Sequence, residues 1–154
     1  MRDDAHEFPT PLAVQLTGVL ARDLMNWSNR AFLRPSIRAG SRGHADARVY
    51  NFRDLVAIRV VDELRQRGLE VRHLRAVVAH VRNREDIGFD RDIPAHRLLI
   101  TDGHTFVQLD DNVRVRAAEL CQSGQPPKAL LLVPLGAIVN KLQADARALG
   151  LCAA

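Results

Sequence analysis

Residues 10–27, TPLAVQLTGVLARDLMNW, decide how the first half of the chain is read. Thr10-Pro11 has the form of an N-cap followed by proline at the first helical position, where φ is already helical and the missing N–H is not needed. Leu12, Ala13 and Leu16 supply a short apolar face before Gly18 interrupts it. A second helix is expected over 21–31, with Leu24, Trp27 and Ala31 inward at three- and four-residue spacing. Phe32-Leu33-Arg34-Pro35 ends it, because proline disfavours helical geometry in the residue before it. Arg22, Asn26, Asn29 and Arg30 fall on the outer face of this second helix.

Downstream, Ser36 to Ala47 is rich in Gly, Ser and Arg, with Gly40 and Gly43 as turn points, and reads as a β-hairpin or wing. Asn51 and Asp54 frame the start of the longest helix, about 52–67, which turns Phe52, Leu55, Val56, Val60 and Leu64 inward and stops at Gly68. A fourth helix, 70–84, carries Val71, Leu74, Val77, Val78 and Val81 as one stripe. The charged stretch NREDIGFDRDIP (83–94) marks a boundary, with 85–94 as linker. Beyond it, His96–Ile100 and His104–Leu109 are strand-like and meet at Asp102-Gly103, a favoured type I′ hairpin turn. ALLLV (129–133) reads as a buried strand, and 135–149 as a last amphipathic helix using Ile138, Val139, Leu142, Ala146 and Leu149. Residues 112–122 suit strand or helix, and residues 1–8 read as a disordered leader. The expected fold is therefore α+β, with about four helices and a wing over 9–84, then a small α/β domain over 95–154.

The 154 residues, 47% hydrophobic and 26% charged, suffice for one domain or two very small ones. No apolar run approaches the roughly 18–20 residues that span a bilayer, and the acidic start MRDDAHEFPTP has no secretory apolar core. Cys121 and Cys152 cannot make a disulfide framework or a multi-cysteine metal site, so a reducing cytoplasm is the expected compartment. The charge is unevenly placed. Residues 9–84 hold 14 Arg against 6 acids, a net +8, whereas residues 1–8 and 85–154 each carry −2. Of the 22 basic residues 20 are Arg, whose planar fork suits phosphate and guanine. An electropositive first half of this kind is what a polyanion would meet.

Catalysis needs a nucleophile with a base, paired carboxylates in a pocket, or a metal cluster. His6, His44, His73, His80, His96 and His104 show no HxxxH or HExxH spacing. His73 and His80, seven apart, read as two polar-face histidines rather than a metal pair, and Asp110-Asp111 as the end of a strand. The glycines form neither GxGxxG nor a Walker loop. Cys121 has no basic neighbour in sequence and reads as a small buried side chain rather than a redox centre. No enzyme activity, metal or cofactor is expected.

The order short helix, tight turn, second helix, Arg-rich wing and two further helices is that of a winged helix-turn-helix, in which the second helix enters the major groove. A plain helical bundle with exposed Arg is the alternative. The recurrence of Arg34, Arg38, Arg42 and Arg48 through the wing favours the former. Leu16-Thr17-Gly18-Val19, Leu24, Trp27, Phe32-Leu33-Arg34-Pro35, Arg48-x-Tyr50-x-x-x-Asp54-Leu55 and Leu64-Arg65-x-x-Gly68 leading to Val71-x-x-Leu74 together resemble the MerR family of transcriptional regulators, over residues 10–82. The resemblance implies a homodimer on a palindromic operator, with the second helix and the wing on DNA. Arg22, Asn26 and Arg30 are then assigned to the recognition helix. Arg34, Arg38, Arg42, Arg48 and Tyr50 are assigned to the wing and its base, mostly on phosphates. The chain departs from the family pattern in having Met25-Asn26 for an Arg-Tyr pair and Leu20 for a Ser cap. The family's long coiled coil and effector-binding cysteines are not read in this sequence.

The second half loosely resembles small domains that follow MerR-like helix-turn-helices in actinobacterial regulators and antitoxins. Three readings follow: a dimeric, nucleoid-associated repressor whose second half dimerises it or binds a small effector; an antitoxin that also binds a toxin protein; and a nucleoid or architectural DNA binder without a defined operator. Without a coiled coil the dimer is expected to form through residues 95–150, above all Ile138, Val139, Leu142, Ala146 and Leu149, rather than through Val77, Val78 and Val81. On this reading, residues 1–84 alone should be a folded monomer.

Overall fold

The computed structural model describes residues 6–39, 48–101, 107–110 and 131–151. It is α+β. Strand β1 (Phe8–Pro9) leads into α1 (Thr10–Thr17), followed by α2 (Ala21–Asn29), β2 (Val49–Tyr50) and α3 (Phe52–Gln66). A 3-10 turn (Val71–His73) precedes α4 (Arg75–Arg82), and β3 (Leu98–Thr101), β4 (Val107–Asp110), β5 (Leu131–Val133) and α5 (Leu135–Ala148) complete the chain. The short β1 and β2 pair antiparallel, and the second sheet has the order β4-β3-β5, antiparallel throughout.

Local chemistry explains most element boundaries. The first helix begins one residue earlier than Thr10 as a cap would require: Pro9 is the N-cap and Pro11 stands in the first turn. Gly18, at φ 76°, ends α1 by donating its N–H to Val14 O at 2.9 Å, a left-handed conformation that a side chain would disfavour. The capping box expected at Asn51 and Asp54 is formed, Asp54 N–H donating to Asn51 Oδ1 at 2.8 Å and Asn51 N–H to Asp54 Oδ2 at 3.1 Å. The second helix is shorter than expected. It stops at Asn29, and Ala31 is exposed at φ 54° instead of facing inward, as Phe32 and Leu33 N–H both return to Trp27 O.

One core runs through both halves. Helix α3 is buried on nearly all sides, with α1, α4, α5 and β5 against it. Phe8, expected in a free leader, is fully buried in an aromatic cluster with Phe52 and Phe89, because its pairing with Tyr50 turns it under α3. The expected linker is packed too: Ile87, Phe89 and Ile93 enter the same core. Gln143 of α5 clamps that segment, its amide donating to Gly88 O and Arg91 O, both at 2.8 Å. Gly136 lets that segment pass close, since a Cβ there would collide with Pro94 O.

The last helix is used differently from the expectation. Ile138, Val139, Leu142 and Ala146 are buried in the chain's own core, and only Leu149 of the five remains exposed. An amphipathic stripe shows that a face is covered but not by what, and here α3 and α1 cover it. The β3–β4 hairpin forms, but Thr101 pairs with Val107, which leaves five residues between the strands rather than the two of an Asp102-Gly103 turn. That connection, residues 112–122, Cys121 and Cys152 all lie outside the described residues.

Candidate nucleic-acid interface

The second helix is held by its inner face. Leu24 and Trp27 are buried, and Trp27 meets Phe32 edge-on at 6.0 Å between centroids. Thr17 Oγ1 donates to Ala13 O at 2.7 Å and accepts from Val19 N–H at 3.3 Å, which stiffens the turn between α1 and α2. Arg65 of α3 then locks the pair: its guanidinium lies 5.3 Å from the Trp27 centroid, 3.0 Å from Asp23 Oδ2 and 2.7 Å from Asp62 Oδ1. Asp23, the acid of α2, is therefore neutralised from behind.

What remains outward is basic or polar. Arg22, Asn26 and Arg30 are all exposed, as the sequence places them. They divide between two flanks. Arg22 lines a groove of about 440 Å3 with Met25, Ala21, Thr10, Pro11, Val14 and Arg48. Asn26 and Arg30 line a smaller one of about 280 Å3 with Arg72 and Arg75. These last two arginines were missed in the sequence: they lie opposite the apolar stripe of the fourth helical segment, and only the fold turns that side toward α2. Arg75 packs 5.9 Å from the Phe32 centroid and donates to Ala31 O at 3.0 Å, so the end of α2 is tied to α4.

The foot of the wing is built on Asp54. Ser36 N–H and Oγ donate to its two carboxylate oxygens at 2.7 and 2.6 Å, and Arg82 Nε lies 3.1 Å from Oδ1. Arg82 also donates to Ser36 Oγ at 2.6 Å. Arg38 and Val49 exchange backbone hydrogen bonds at 3.1 and 2.8 Å, which closes the base of the expected hairpin. Arg34 and Arg38 are exposed at this foot, and Arg42 lies outside the described residues.

Two assigned contacts are mostly covered by the protein itself, Arg48 keeping only an edge on the groove that Arg22 lines. Arg48 is only 6% exposed, and its Nη2 donates to Asn29 Oδ1 at 3.1 Å. It positions α2 against β2 from below. Tyr50 is fully buried, and its hydroxyl has no hydrogen-bond partner among the described residues. Burial pushes its pKa up to about 12, so it is a neutral core phenol. The arginine and tyrosine read as a wing base stand just before and at the end of β2, and both turn into the protein. Tyr50→Phe removes a buried hydroxyl without a partner, so it should leave DNA affinity unchanged and raise stability by about 1 kcal/mol in urea denaturation. A loss of affinity would return Tyr50 to the interface.

Among the described residues, no group of three or more His, Cys, Asp and Glu is placed to hold a metal ion, and no helix is long and apolar enough to cross a membrane. Residues 12–81 match the family described as MerR HTH family regulatory protein. Uncharacterized HTH-type transcriptional regulators of Mycobacterium bovis and of two Mycobacterium tuberculosis strains are each 29% identical over 125 residues, 80% of this chain. That stretch is 51% of each relative, so the chain spans about half the length of the curated relatives it matches. The tight turn at Gly18, the clamped second helix, the foot at Asp54 and the two following helical segments thus lie within residues 12–81, the part of the chain that is similar to the MerR family of helix-turn-helix regulators.

Proposed function

We propose that this chain is a sequence-specific DNA-binding transcriptional regulator that acts as a homodimer on a palindromic operator. The observation that carries the reading is the outer face of α2: Arg22, Asn26 and Arg30 are exposed beside Arg34 and Arg38, while Asp23 is taken up by Arg65. Helix α2 lies in the major groove, with Arg22 and Asn26 on base edges. Arg34, Arg38, Arg42, Arg72 and Arg75 meet the backbone, where contacts position the protein without reading sequence. Occupancy of the operator is the proposed effect, hence repression.

A single small helix-turn-helix touches too few base pairs to discriminate in a genome, which is the reason for two copies. Because Ile138, Val139, Leu142 and Ala146 serve the protein's own core, the second copy is placed on the outer surface of residues 95–151, where Leu132 and Leu149 remain exposed. Selection from random duplexes should enrich a symmetric site. Arg38→Ala should then weaken binding to all duplexes alike and lower the salt slope by about one, whereas Arg22→Ala should relax preference at particular base pairs by about 1–3 kcal/mol. If Arg38→Ala instead changed the preferred sequence and left the salt slope intact, the two roles would have to be exchanged.

A further inference from the structure

Leu20 and Met25 are two of the four large apolar side chains exposed among the described residues, at 56% and 38%, and both lie on the first turns of α2. Neither is explained by the fold. Leu20 is the N-cap of α2, where it makes no side-chain hydrogen bond, and leucine is among the poorest residues for that position. Met25 follows Ala21 by one helical turn, so the two share a face that borders the groove lined by Thr10, Pro11 and Val14. Arg22 stands between them on the same end of the helix. Exposed leucine at the cap and methionine in the groove that Arg22 and Arg48 also line leave two separate apolar points on a basic end of α2.

We infer that Met25 and Leu20 are specificity residues that read thymine C5-methyl groups in the major groove, an inference that rests on the DNA-binding reading above. The methyl group of thymine is the apolar feature that the major groove presents, and the rest of each base-pair edge there is hydrogen-bonding. A polyanion carrying such methyls complements both parts of this surface: phosphates for the exposed arginines that follow α2, such as Arg34, and methyls for the two apolar side chains. Methionine suits the task because its unbranched thioether adapts to the position of a methyl without a fixed shape. Each half-site therefore contains one or two thymines whose hydrogen-bonding edges are not what the protein recognises.

Uracil tests this directly, since it keeps every hydrogen-bonding atom of thymine and lacks only the methyl. The full chain is first used to select a binding sequence from random duplexes. Uracil then replaces thymine one position at a time. The wild-type protein should lose about fourfold in affinity at one or two positions of each half-site, the value for one buried methyl-sized group. Met25→Ala and Leu20→Ser should each abolish the loss at one of these positions. Serine is the better helix cap, so Leu20→Ser keeps α2 formed and separates a lost contact from a lost helix. Equal binding of thymine and uracil duplexes at every position, or a uracil penalty that persists in both variants, would overturn the inference while leaving DNA binding intact. No enriched sequence in the selection would overturn the regulator reading, and this inference with it.

Discussion

A fragment of residues 1–84 is expected not to fold. Helix α3 is the centre of the molecule, and removing everything after Arg84 takes away α5 and the segment carrying Ile87, Phe89 and Ile93. Phe89, Leu135, Val139 and Leu142 are each buried almost completely, and each contributes about 1.5–3 kcal/mol of burial. The sum exceeds the lower end of the roughly 5–15 kcal/mol by which small domains are stable. The aromatic cluster at Phe8 and Phe52 would also lose Phe89. Far-ultraviolet circular dichroism with urea titration of the fragment should therefore show residual helix and no cooperative transition. A sharp transition would make the first half an autonomous domain, as its sequence alone suggests.

Asp54→Ala should be the most damaging single substitution at the candidate interface, at about 3–5 kcal/mol. The carboxylate is fully buried and gathers Ser36 N–H, Ser36 Oγ, Asn51 N–H and Arg82. Alanine leaves those donors without their acceptor and removes half of the capping box. It also frees the foot of the wing from α3 and α4, so DNA affinity should fall even where the folded fraction is restored by osmolyte. Denaturation midpoints with unchanged slope would measure the first effect, and binding at saturating folded fraction the second. Asparagine is not a neutral replacement, because its amide would set an N–H against N–H and guanidinium donors.

The pH dependence separates this group from a nearby one. Burial, only partly offset by Arg82 and the hydrogen bonds from Ser36, raises the Asp54 carboxyl above its ordinary value. The folded state therefore takes up that proton before the unfolded chain does, and this group favours folding as the pH falls. Asp86 is the opposite case. Hydrogen bonds from Arg84 and the charge of Arg97 hold it below the ordinary carboxylate value. Its contribution is present above the usual carboxylate range and is lost as the pH falls through its folded value. Asp86→Asn should accordingly flatten the acid limb of the stability curve.

How far the chain could be read without its structure depends on whether a feature is local. Proline in the first turn of α1, glycine at the turn and the Asn51–Asp54 capping box are set by neighbours a few residues away, and each formed. Of the helix expected over 70–84 only Arg75–Arg82 is α-helical, with Val71–His73 a 3-10 turn, and Leu74, Val77, Val78 and Val81 are the part of its stripe that is buried. The order of those elements was enough to point to the helix-turn-helix and to the outward face of α2. Long-range choices were not legible. Tyr50 lies in β2 and Arg48 just before it, where both neighbouring strand residues are buried, so alternation gave no sign that the two turn inward. Arg72 and Arg75 are ordinary polar-face arginines until α4 packs beside α2. The stripe of α5 would look the same whether a second chain or α3 of the same chain covered it. By itself the sequence determined which residues form helices and which faces must leave water, because propensity, capping and periodicity act within a few residues. Only the tertiary structure decided what each face meets, because that depends on contacts between residues as distant as Phe8 and Phe89, which no local pattern records.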